Sequence, residues 1–428
     1  MPLRTQTLIM IELLVCKDVL SEILYENKTF KRALSDQCFS KKEQSNIRRT
    51  VSALVGCELR HHFLVKKVLD KLNLELTLDQ RTFLYLALAN NHFLKALDIK
   101  SVNSQIEEVF GELYGKVEPL LDPNLNLFEY LNINKKSFDY ISIRFNLPKW
   151  LLKSWAKEIG LSKTYRIIHQ LTLPNDQTYR INEFNELGKE FIEKHKNLLG
   201  EEIYPGIVRI SRKTMSQNPD LKSEFLFEID YRLNRLIDDI QSSLVQELSI
   251  YSDEDDSLPF EELARSNGKL GVNVVCPSFE ERTKLVRTLR ISKAKNINVF
   301  KAGDVISMKT GISRDSELFY CYPKSSSYSY INKYPDYIVR FRNTQIDGLV
   351  DNQKKALEKC AEFICDGGEL VYIVNTLNKR ETKDVVEAFL QSHPSFKLVK
   401  DEQFYPDQHS SSFLYYAVLK LEKNHGEN

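Results

Sequence analysis

Cysteine thiolates can attack electrophilic carbon atoms or bind soft metal ions, so the cysteines are the first candidates for chemistry. The chain has seven, an odd number, and no two of them form a C-x-x-C pair. A scattered, odd set favours free thiols in a reducing compartment over a disulfide framework. We therefore predict reduced cysteines and a cytoplasmic location. The seven are Cys16, Cys38, Cys57, Cys276, Cys321, Cys360 and Cys365.

Two local pairs have side chains that bind metals, but neither has the spacing of a site. His61 and His62 are adjacent in a helical stretch, and Cys360 and Cys365 flank the predicted end of another helix. Neither pair has a second pair of ligands at a suitable distance along the chain. We predict a solvated helix face for the histidines, core packing for the cysteines, and no metal.

Basic side chains suited to phosphate contact are concentrated in one segment. Residues 284 to 301 carry six cations and no acid, and four of the cations recur every third residue, which places them along one side of a helix. Such a row suits RNA phosphates, and a solvated surface helix explains it about equally well. A smaller patch precedes it. The predicted RNA contacts are Lys284, Arg287, Arg290, Lys293, Arg209 and Arg212.

Aromatic and basic residues alternate between Tyr328 and Arg342, with Tyr334 and Arg340 among them. This composition is typical of surfaces on which RNA bases stack. Burial of the aromatic rings in a core explains it equally well, so both interpretations stay open.

Composition limits what these residues can belong to. The chain has 428 residues, enough for two to four domains, and 60 basic against 59 acidic residues give a net charge of +1. A globally basic nucleic-acid binder is therefore excluded. The 15 glycines are few for a protein that closes backbone loops on a nucleotide. No apolar run approaches the ~20 residues of a membrane span, so we predict no membrane partner.

Hydrophobic periodicity divides the chain into three parts. Residues 1–135 are helical, 136–225 form a linker helix and a small α+β module, and 226–428 alternate strands with helices. Such alternation indicates a mostly parallel, doubly wound sheet. The predicted strands are 178–181, 207–210, 272–276, 297–301, 318–321, 369–374 and 413–421; the predicted helices of the last two parts are 186–198, 279–289, 350–365 and 381–392.

Several motifs, in order along nearly the whole chain, resemble those of the RsmB (Sun) family of rRNA cytosine-5 methyltransferases. The clearest are the stretch from Asp366 to Tyr372, Tyr334-Pro335-Asp336, Gln353, and the Leu147-Pro148-Lys149-Trp150-Leu151 segment. The resemblance implies an all-α, NusB-like RNA-binding N-terminal domain, a small α+β RNA-binding module and a C-terminal α/β, Rossmann-like methyltransferase domain.

The chain departs from the family where the family does its chemistry. Two cysteines act in the family: one, in a D-A-P-C-S motif, attacks C6 of cytosine, and one, in an S-T-C-S motif, helps to release the product. Here the aligned positions hold Lys324 and Asn375, and Cys321 stands at the aspartate position of the first motif. Addition to the ring needs a strong nucleophile that can also leave, which is the property of a thiolate.

The cofactor motifs have changed in the same way. In the family a glycine-rich turn presents helix N–H groups to S-adenosylmethionine. The aligned stretch, Ile250 to Phe260, has no glycine and carries four consecutive acids, Asp253 to Asp256. The ribose-binding acid is lost near Pro277, and only Gly303-Asp304 matches the adenine contact. Of the cofactor-binding residues, Asp304 is therefore the one we predict.

These observations predict a monomeric, RNA-binding and catalytically degenerate relative of the RsmB proteins, acting on ribosomal RNA or the pre-ribosomal small subunit without a cofactor. One alternative is an active S-adenosylmethionine-dependent cytosine-5 methyltransferase with a divergent site. Another is a protein-interaction scaffold.

Overall fold

Apolar residues at helical spacing build the N-terminal half of the chain. In this computed structural model the described residues are 2–39, 47–173, 177–218, 221, 225–240, 245–254, 257–266, 268–301, 315–407, 409–410 and 412–422. The first helices are α1 (Pro2–Tyr25), α2 (Phe30–Phe39), α3 (Arg48–Leu72), α4 (Leu78–Ala89), α5 (Ile99–Phe110), α6 (Tyr114–Val117), α7 (Leu127–Leu131), α8 (Phe138–Phe145) and α9 (Lys149–Ile159). A π-helical turn, Asn90–Leu94, continues α4, and 3-10 turns cover Gly111–Leu113 and Glu118–Leu121.

The middle of the chain forms a small antiparallel sheet of four strands in the order β2-β3-β1-β4. Its hydrophobic core includes Tyr179, Phe191 and Met215. The elements are α10 (Leu161–Thr172), β1 (Gln177–Ile181), α11 (Glu186–His195), β2 (Glu202–Tyr204), β3 (Ile207–Ile210), α12 (Arg212–Gln217) and β4 (Leu226–Glu228).

The remainder forms a seven-stranded sheet in the order β10-β11-β9-β8-β5-β6-β7, in which β5 to β9 are mutually parallel and β11 is antiparallel to both of its neighbours, β9 and β10. A 3-10 turn covers Lys379–Glu381. The elements are α13 (Arg232–Ile240), β5 (Glu247–Ser252), α14 (Leu258–Arg265), β6 (Gly271–Cys276), α15 (Phe279–Ser292), β7 (Ile297–Lys301), β8 (Ser316–Tyr322), α16 (Tyr330–Lys333), α17 (Tyr337–Arg340), α18 (Gln345–Ala361), β9 (Ile364–Val374), α19 (Lys383–Ser392), β10 (Phe396–Phe404) and β11 (Leu414–Leu421).

The large sheet is buried on both faces, as expected for parallel strands covered by helices. Successive residues of β8 alternate between two cores: Tyr320 packs with Ile250 and Val274, whereas Phe319 and Cys321 pack on the opposite face. The helical first part followed by this Rossmann-like sheet confirms the predicted fold class.

The chain divides into two compact units, residues 1–164 with 331–343, and residues 165–330 with 344–428. The helical unit thus extends beyond the boundary expected at residue 135, because α8 and α9 bury their apolar faces, including Ile143 and Trp155. In this unit the buried Asp336 accepts hydrogen bonds from the Phe30 backbone N–H (3.1 Å) and Arg340 Nε (2.8 Å). The short segment 331–343 therefore completes the helical unit.

The predicted solvated face at His61 and His62 is wrong. His62 is 6% exposed, and its Nδ1 lies 2.7 Å from Glu58 Oε1. His61 is stacked on Phe93 with ring centroids 3.9 Å apart. Both rings lie on the packed side of α3, where an aromatic contact or a buried carboxylate satisfies them.

No helix among the described residues is long and apolar enough to cross a membrane.

Candidate functional site

The large sheet reverses its winding between β5 and β8, because the chain runs from β5 outward to β6 and β7 and then returns to β8 on the other side. In open α/β sheets ligands bind outside the carboxyl ends of the strands at such a reversal. At this edge lie the segments that follow β5, β6, β8 and β9, which include residues 253–254, 277–278, 323–327 and 375–381. These segments form the candidate site.

Glu254 closes the gap between β5 and β8. Its Oε2 accepts hydrogen bonds from the Ser325 backbone N–H at 2.7 Å and from Ser325 Oγ at 3.4 Å, and its Oε1 accepts one from Ser327 Oγ. The Asp253 N–H donates to the Tyr322 carbonyl at 3.0 Å, which joins the two strand ends. The described donors of Ser325 and Ser327 at the reversal are therefore bound to a carboxylate of the chain itself.

Glu381 joins the segments after β8 and β9 in the same manner. It is fully buried and accepts hydrogen bonds from the Ser326 backbone N–H (2.8 Å), Gln353 Nε2 (3.0 Å) and Asn378 Nδ2 (3.1 Å). Burial raises the pKa of this carboxyl, and the hydrogen bonds oppose the rise. Ser326 Oγ and Thr376 Oγ1, 2.6 Å apart, add a second link.

Lys324 and Asn375 follow neighbouring parallel strands, β8 and β9, so the structure brings together the segments that hold them. Lys324 is exposed, and its backbone carbonyl accepts a hydrogen bond from Gln353 Nε2 at 3.1 Å. Asn375 is half-buried. These two positions, at the ends of neighbouring strands, carry an amine and an amide.

Cys321 does not reach this edge. It lies within β8, is 0% exposed and packs against the core that contains Tyr251 and Tyr372. Its thiol is hydrogen-bonded to that of Cys360, and burial followed by this bond raises the pKa of Cys360. A thiol enclosed on this face of the sheet cannot attack a ligand at the carboxyl edge.

The residues present do not fit the methionine end of S-adenosylmethionine. A carboxylate ligand needs free N–H donors, yet the place where the family has its glycine-rich turn holds Asp253 and Glu254. Burial raises the pKa of Asp253 to about 6, partly offset by Lys324. At the start of α15, Ser278 Oγ already accepts the Glu281 N–H at 3.4 Å. The predicted adenine contact Asp304 lies outside the described residues.

The predicted RNA contacts on α15, and Lys293 directly after it, are exposed. Lys284, Arg287, Arg290 and Lys293 are all exposed; Lys284 Nζ lies 2.6 Å from Glu281 Oε1, and Lys293 Nζ lies 3.4 Å from Asn185 Oδ1. In the small module, Arg212 is exposed.

Arg209 is less available than the sequence suggested. Its guanidinium lies 3.1 Å from Glu201 Oε2 and 3.3 Å from His409 Nδ1. Strand β3 places Arg209 between these partners. Its guanidinium therefore makes contacts within the protein as well as carrying charge that RNA could bind.

The aromatic segment divides between the two interpretations left open. Tyr328 and Ile338 are buried, whereas Tyr334 is 45% exposed. The segment 331–343 belongs to the helical unit, where Tyr337 and Phe341 are half-buried, so core packing accounts for only part of its aromatic content.

Sequence reasoning missed the roles of Glu254 and the serines at 325 and 327. The acidic run and the serine run can both be seen in the sequence, but Glu254 is 71 residues from Ser325 and 73 residues from Ser327 along the chain. Only the strand order at the reversal shows that the two runs meet. Among the described residues, no group of three or more potential metal ligands exists.

Comparisons with known proteins agree with this geometry. A family described as 16S rRNA methyltransferase RsmB/F matches residues 294–422. The probable ribosomal RNA small subunit methyltransferase B of Bacillus subtilis (strain 168) is 23% identical over 266 residues, covering 58% of this chain and 57% of the relative. The ribosomal RNA small subunit methyltransferase B of Xanthomonas campestris is 32% identical over 111 residues, covering 26% of this chain and 24% of the relative. The matches thus span about half or less of these relatives' length.

Solved structures show the same fold. The crystal structure of PH0851 has a TM-score of 0.68 and 17% identity, and the match covers 96% of this chain and 98% of that one. NSun6 from Pyrococcus horikoshii, solved with SFG, has a TM-score of 0.53 and 12% identity, covering 65% of this chain and 99% of that one. The family match over residues 294–422 and the motifs thus make this part of the chain similar to the RsmB (Sun) family, and the solved structures share the fold of the chain.

Proposed function

We propose that this chain is a monomeric, cytoplasmic RNA-binding member of the RsmB family that does not transfer methyl groups to cytosine. In this proposal it acts on ribosomal RNA or the pre-ribosomal small subunit. The observation that carries the proposal is the presence of Lys324 and Asn375 at the ends of the adjacent strands β8 and β9, where the family has its two cysteines.

The chemistry follows from these side chains. Carbon C5 of cytosine becomes nucleophilic enough to take a methyl group only after a nucleophile has added to C6. An ammonium has no free electron pair for that addition, and an amide such as that of Asn375 has no titratable base to assist release of the product. Because Cys321 is enclosed in the core, it supplies no substitute.

The cofactor argument points the same way. Glu254 binds the donors of Ser325 and Ser327 at the sheet reversal, and Asp253 and Glu254 align with the stretch where the family receives the methionine carboxylate. We propose that S-adenosylmethionine does not bind at physiological concentration. RNA binding is supported by the exposed cations of α15 and by Arg212.

A methyl-transfer assay tests the catalytic part. The purified chain is incubated with labelled S-adenosylmethionine and unmodified small-subunit rRNA, with the Xanthomonas campestris relative as positive control. We expect no 5-methylcytosine from this chain and no calorimetric binding of the cofactor. Turnover that survives Cys321→Ala, or cofactor binding with a low-micromolar dissociation constant, contradicts the proposal; turnover abolished by Cys321→Ala would establish that thiol as the nucleophile.

A salt titration tests the RNA part. Phosphate contacts release counterions, so retention of a small-subunit rRNA fragment should fall steeply as salt rises. Failure to retain RNA even at low salt would leave the protein-interaction scaffold as the better description.

A further inference from the structure

Helix α9 presents a row of lysines outside the residues considered so far. Lys149, Lys153 and Lys157 recur every fourth residue and are all exposed, whereas Leu151 and Trp155 on the same helix are buried. At a rise of about 1.5 Å per residue, this spacing sets successive lysines about 6 Å apart along one face. We call these three residues the α9 lysine row.

Packing within the helical unit adds positive charge beside the row. Asp139 on α8 lies 2.5 Å from Lys149 Nζ and 3.7 Å from Lys67 Nζ of α3, so one carboxylate is shared by two lysines. The turn between α8 and α9 is fixed on α3 by Asn146, whose Nδ2 donates to the Leu59 carbonyl at 2.7 Å. This contact with α3 does not involve the lysines of the row.

The local charge is strongly unbalanced. Residues 135 to 158 carry six basic and two acidic side chains in a chain whose net charge is only +1. Of the two acids, Asp139 is shared as described, and Glu158 Oε1 accepts from Ser154 Oγ at 3.1 Å. In the part of α9 that the structure describes, Lys153 and Lys157 have no carboxylate partner.

We infer that the α9 lysine row, extended by Lys67, is an RNA backbone-binding surface of the helical unit. The inference rests on the RNA-binding part of the proposed function and gives it a second surface besides α15. Evenly spaced, flexible ammonium groups suit successive phosphates of one strand, whereas an acidic peptide would need apolar anchors between the charges. The residues buried between the lysines, such as Leu151 and Trp155, offer none.

Charge reversal of the full-length chain tests this surface. The variant Lys149→Glu, Lys153→Glu, Lys157→Glu is titrated against a small-subunit rRNA fragment at several salt concentrations. We expect affinity at low salt to fall by about 10- to 100-fold and the salt slope to flatten by about 2, because up to three phosphate contacts are lost. The matched control reverses three exposed lysines elsewhere, Lys354, Lys355 and Lys383, and should change affinity by less than about threefold.

A second variant separates binding from packing. Asp139→Asn removes the carboxylate that neutralises Lys67 and Lys149, so RNA affinity should rise about two- to threefold and the salt slope should steepen. A merely structural role for Asp139 predicts weaker binding instead. Denaturation midpoints of both variants show whether the fold is intact.

The outcomes distinguish this inference from the function on which it rests. If the wild-type chain binds no RNA, the proposed function itself fails. If it binds RNA, and reversal of the α9 lysine row leaves affinity unchanged while reversal on α15 abolishes it, only the present inference is overturned. Competition by polyglutamate as effective as by RNA would assign the row to an acidic protein partner and overturn it likewise.

Discussion

Charged side chains have opposite surroundings at the carboxyl edge of the large sheet and on the surface of helix α9. At the sheet edge, Glu254 and Glu381 are bound by backbone and side-chain donors of the chain itself. On α9, Lys153 and Lys157 project into solvent. A polar group satisfied internally stabilises the fold and has little left to offer a ligand, whereas an unsatisfied one can bind a partner. In the function that we propose, the sheet edge therefore contributes to stability, and the exposed cations contribute to RNA binding.

The largest effect should come from breaking the network at the edge. Glu381→Ala leaves the Ser326 N–H, Gln353 and Asn378 without their shared acceptor in a fully buried place, so we expect the free energy of unfolding to fall by about 3–5 kcal/mol. Denaturant titration measures it. The exposed Glu387→Ala on the following helix is the control and should change stability by less than about 0.5 kcal/mol. Equal effects of the two substitutions would deny Glu381 a structural role.

A smaller effect is expected from the basic face of α15. Reversing Lys284, Arg287 and Arg290 to glutamate should lower rRNA affinity by about 10- to 100-fold, which is about 1.4–2.7 kcal/mol, and flatten the salt dependence. Filter binding at several salt concentrations provides the measurement. Unchanged affinity at low salt would remove this face from the proposed RNA contacts.

Asp253, next to the sheet reversal, should make the stability of the protein depend on pH. Burial raises the pKa of Asp253 from 3.8 to about 6, so the folded state disfavours its charge, and stability is lost as pH rises between these values. Asp253→Asn removes the penalty. We expect the free energy of unfolding of the variant, relative to wild type, to be about 1–2 kcal/mol higher at pH 7.5 than at pH 4. This figure is reduced for the partial exposure of Asp253 and for nearby Lys324. The exposed Asp351→Asn serves as control. An equal gain at both pH values would contradict this account.

The smallest effect on stability and on methyl transfer is expected from placing cysteines at positions 324 and 375. Restoring both family cysteines, Lys324→Cys with Asn375→Cys, should change stability by less than about 0.5 kcal/mol because neither side chain is fully buried. It should also yield no 5-methylcytosine, because Glu254 still closes the reversal. Product in the labelled assay would show that the cysteines alone had been missing.

Much of the fold could be predicted from the sequence because its strands have a strong local pattern. The strands expected at 207–210 and 297–301 have those bounds in the structure, and the strand expected at 272–276 begins one residue earlier. Each is a short run of β-branched residues bounded by turn residues, which is a signal of the chain itself.

Four strands were missed, β2, β4, β5 and β10, and the last two were missed for different physical reasons. In β5, Ser249 and Ser252 interrupt the apolar run, and the stretch from Ile250 onward was aligned with the glycine-rich turn of the family. β10 is an edge strand with charged residues such as Lys397 and Lys400, which protect an edge from further pairing and hide the strand pattern.

The candidate site could be located from the sequence but not described. The resemblance indicated which positions should meet, and Lys324 and Asn375 do follow adjacent strands. The hydrogen bonds of Glu254 with the two serines, and of Glu381 with Ser326 and Gln353, however, connect residues 28 to 73 positions apart, which no local pattern encodes. Propensity describes neighbours along the chain, whereas polar networks are set by neighbours in space.

The return of residues 331–343 to the helical unit has a consequence for how the protein is made. Asp336 binds the N–H of Phe30, 306 residues earlier, and Arg340 Nη1 donates to the Asn27 carbonyl at 3.3 Å. A ribosome that has just finished Thr164 must therefore translate another 179 residues before the helical unit is whole, which takes roughly 10–40 s. During that interval the nascent helices lack the contacts that anchor the start of α2. Folding of the helical unit is thus not strictly vectorial. A fragment that ends at Thr164 would lack the contacts of Asp336 and Arg340 permanently.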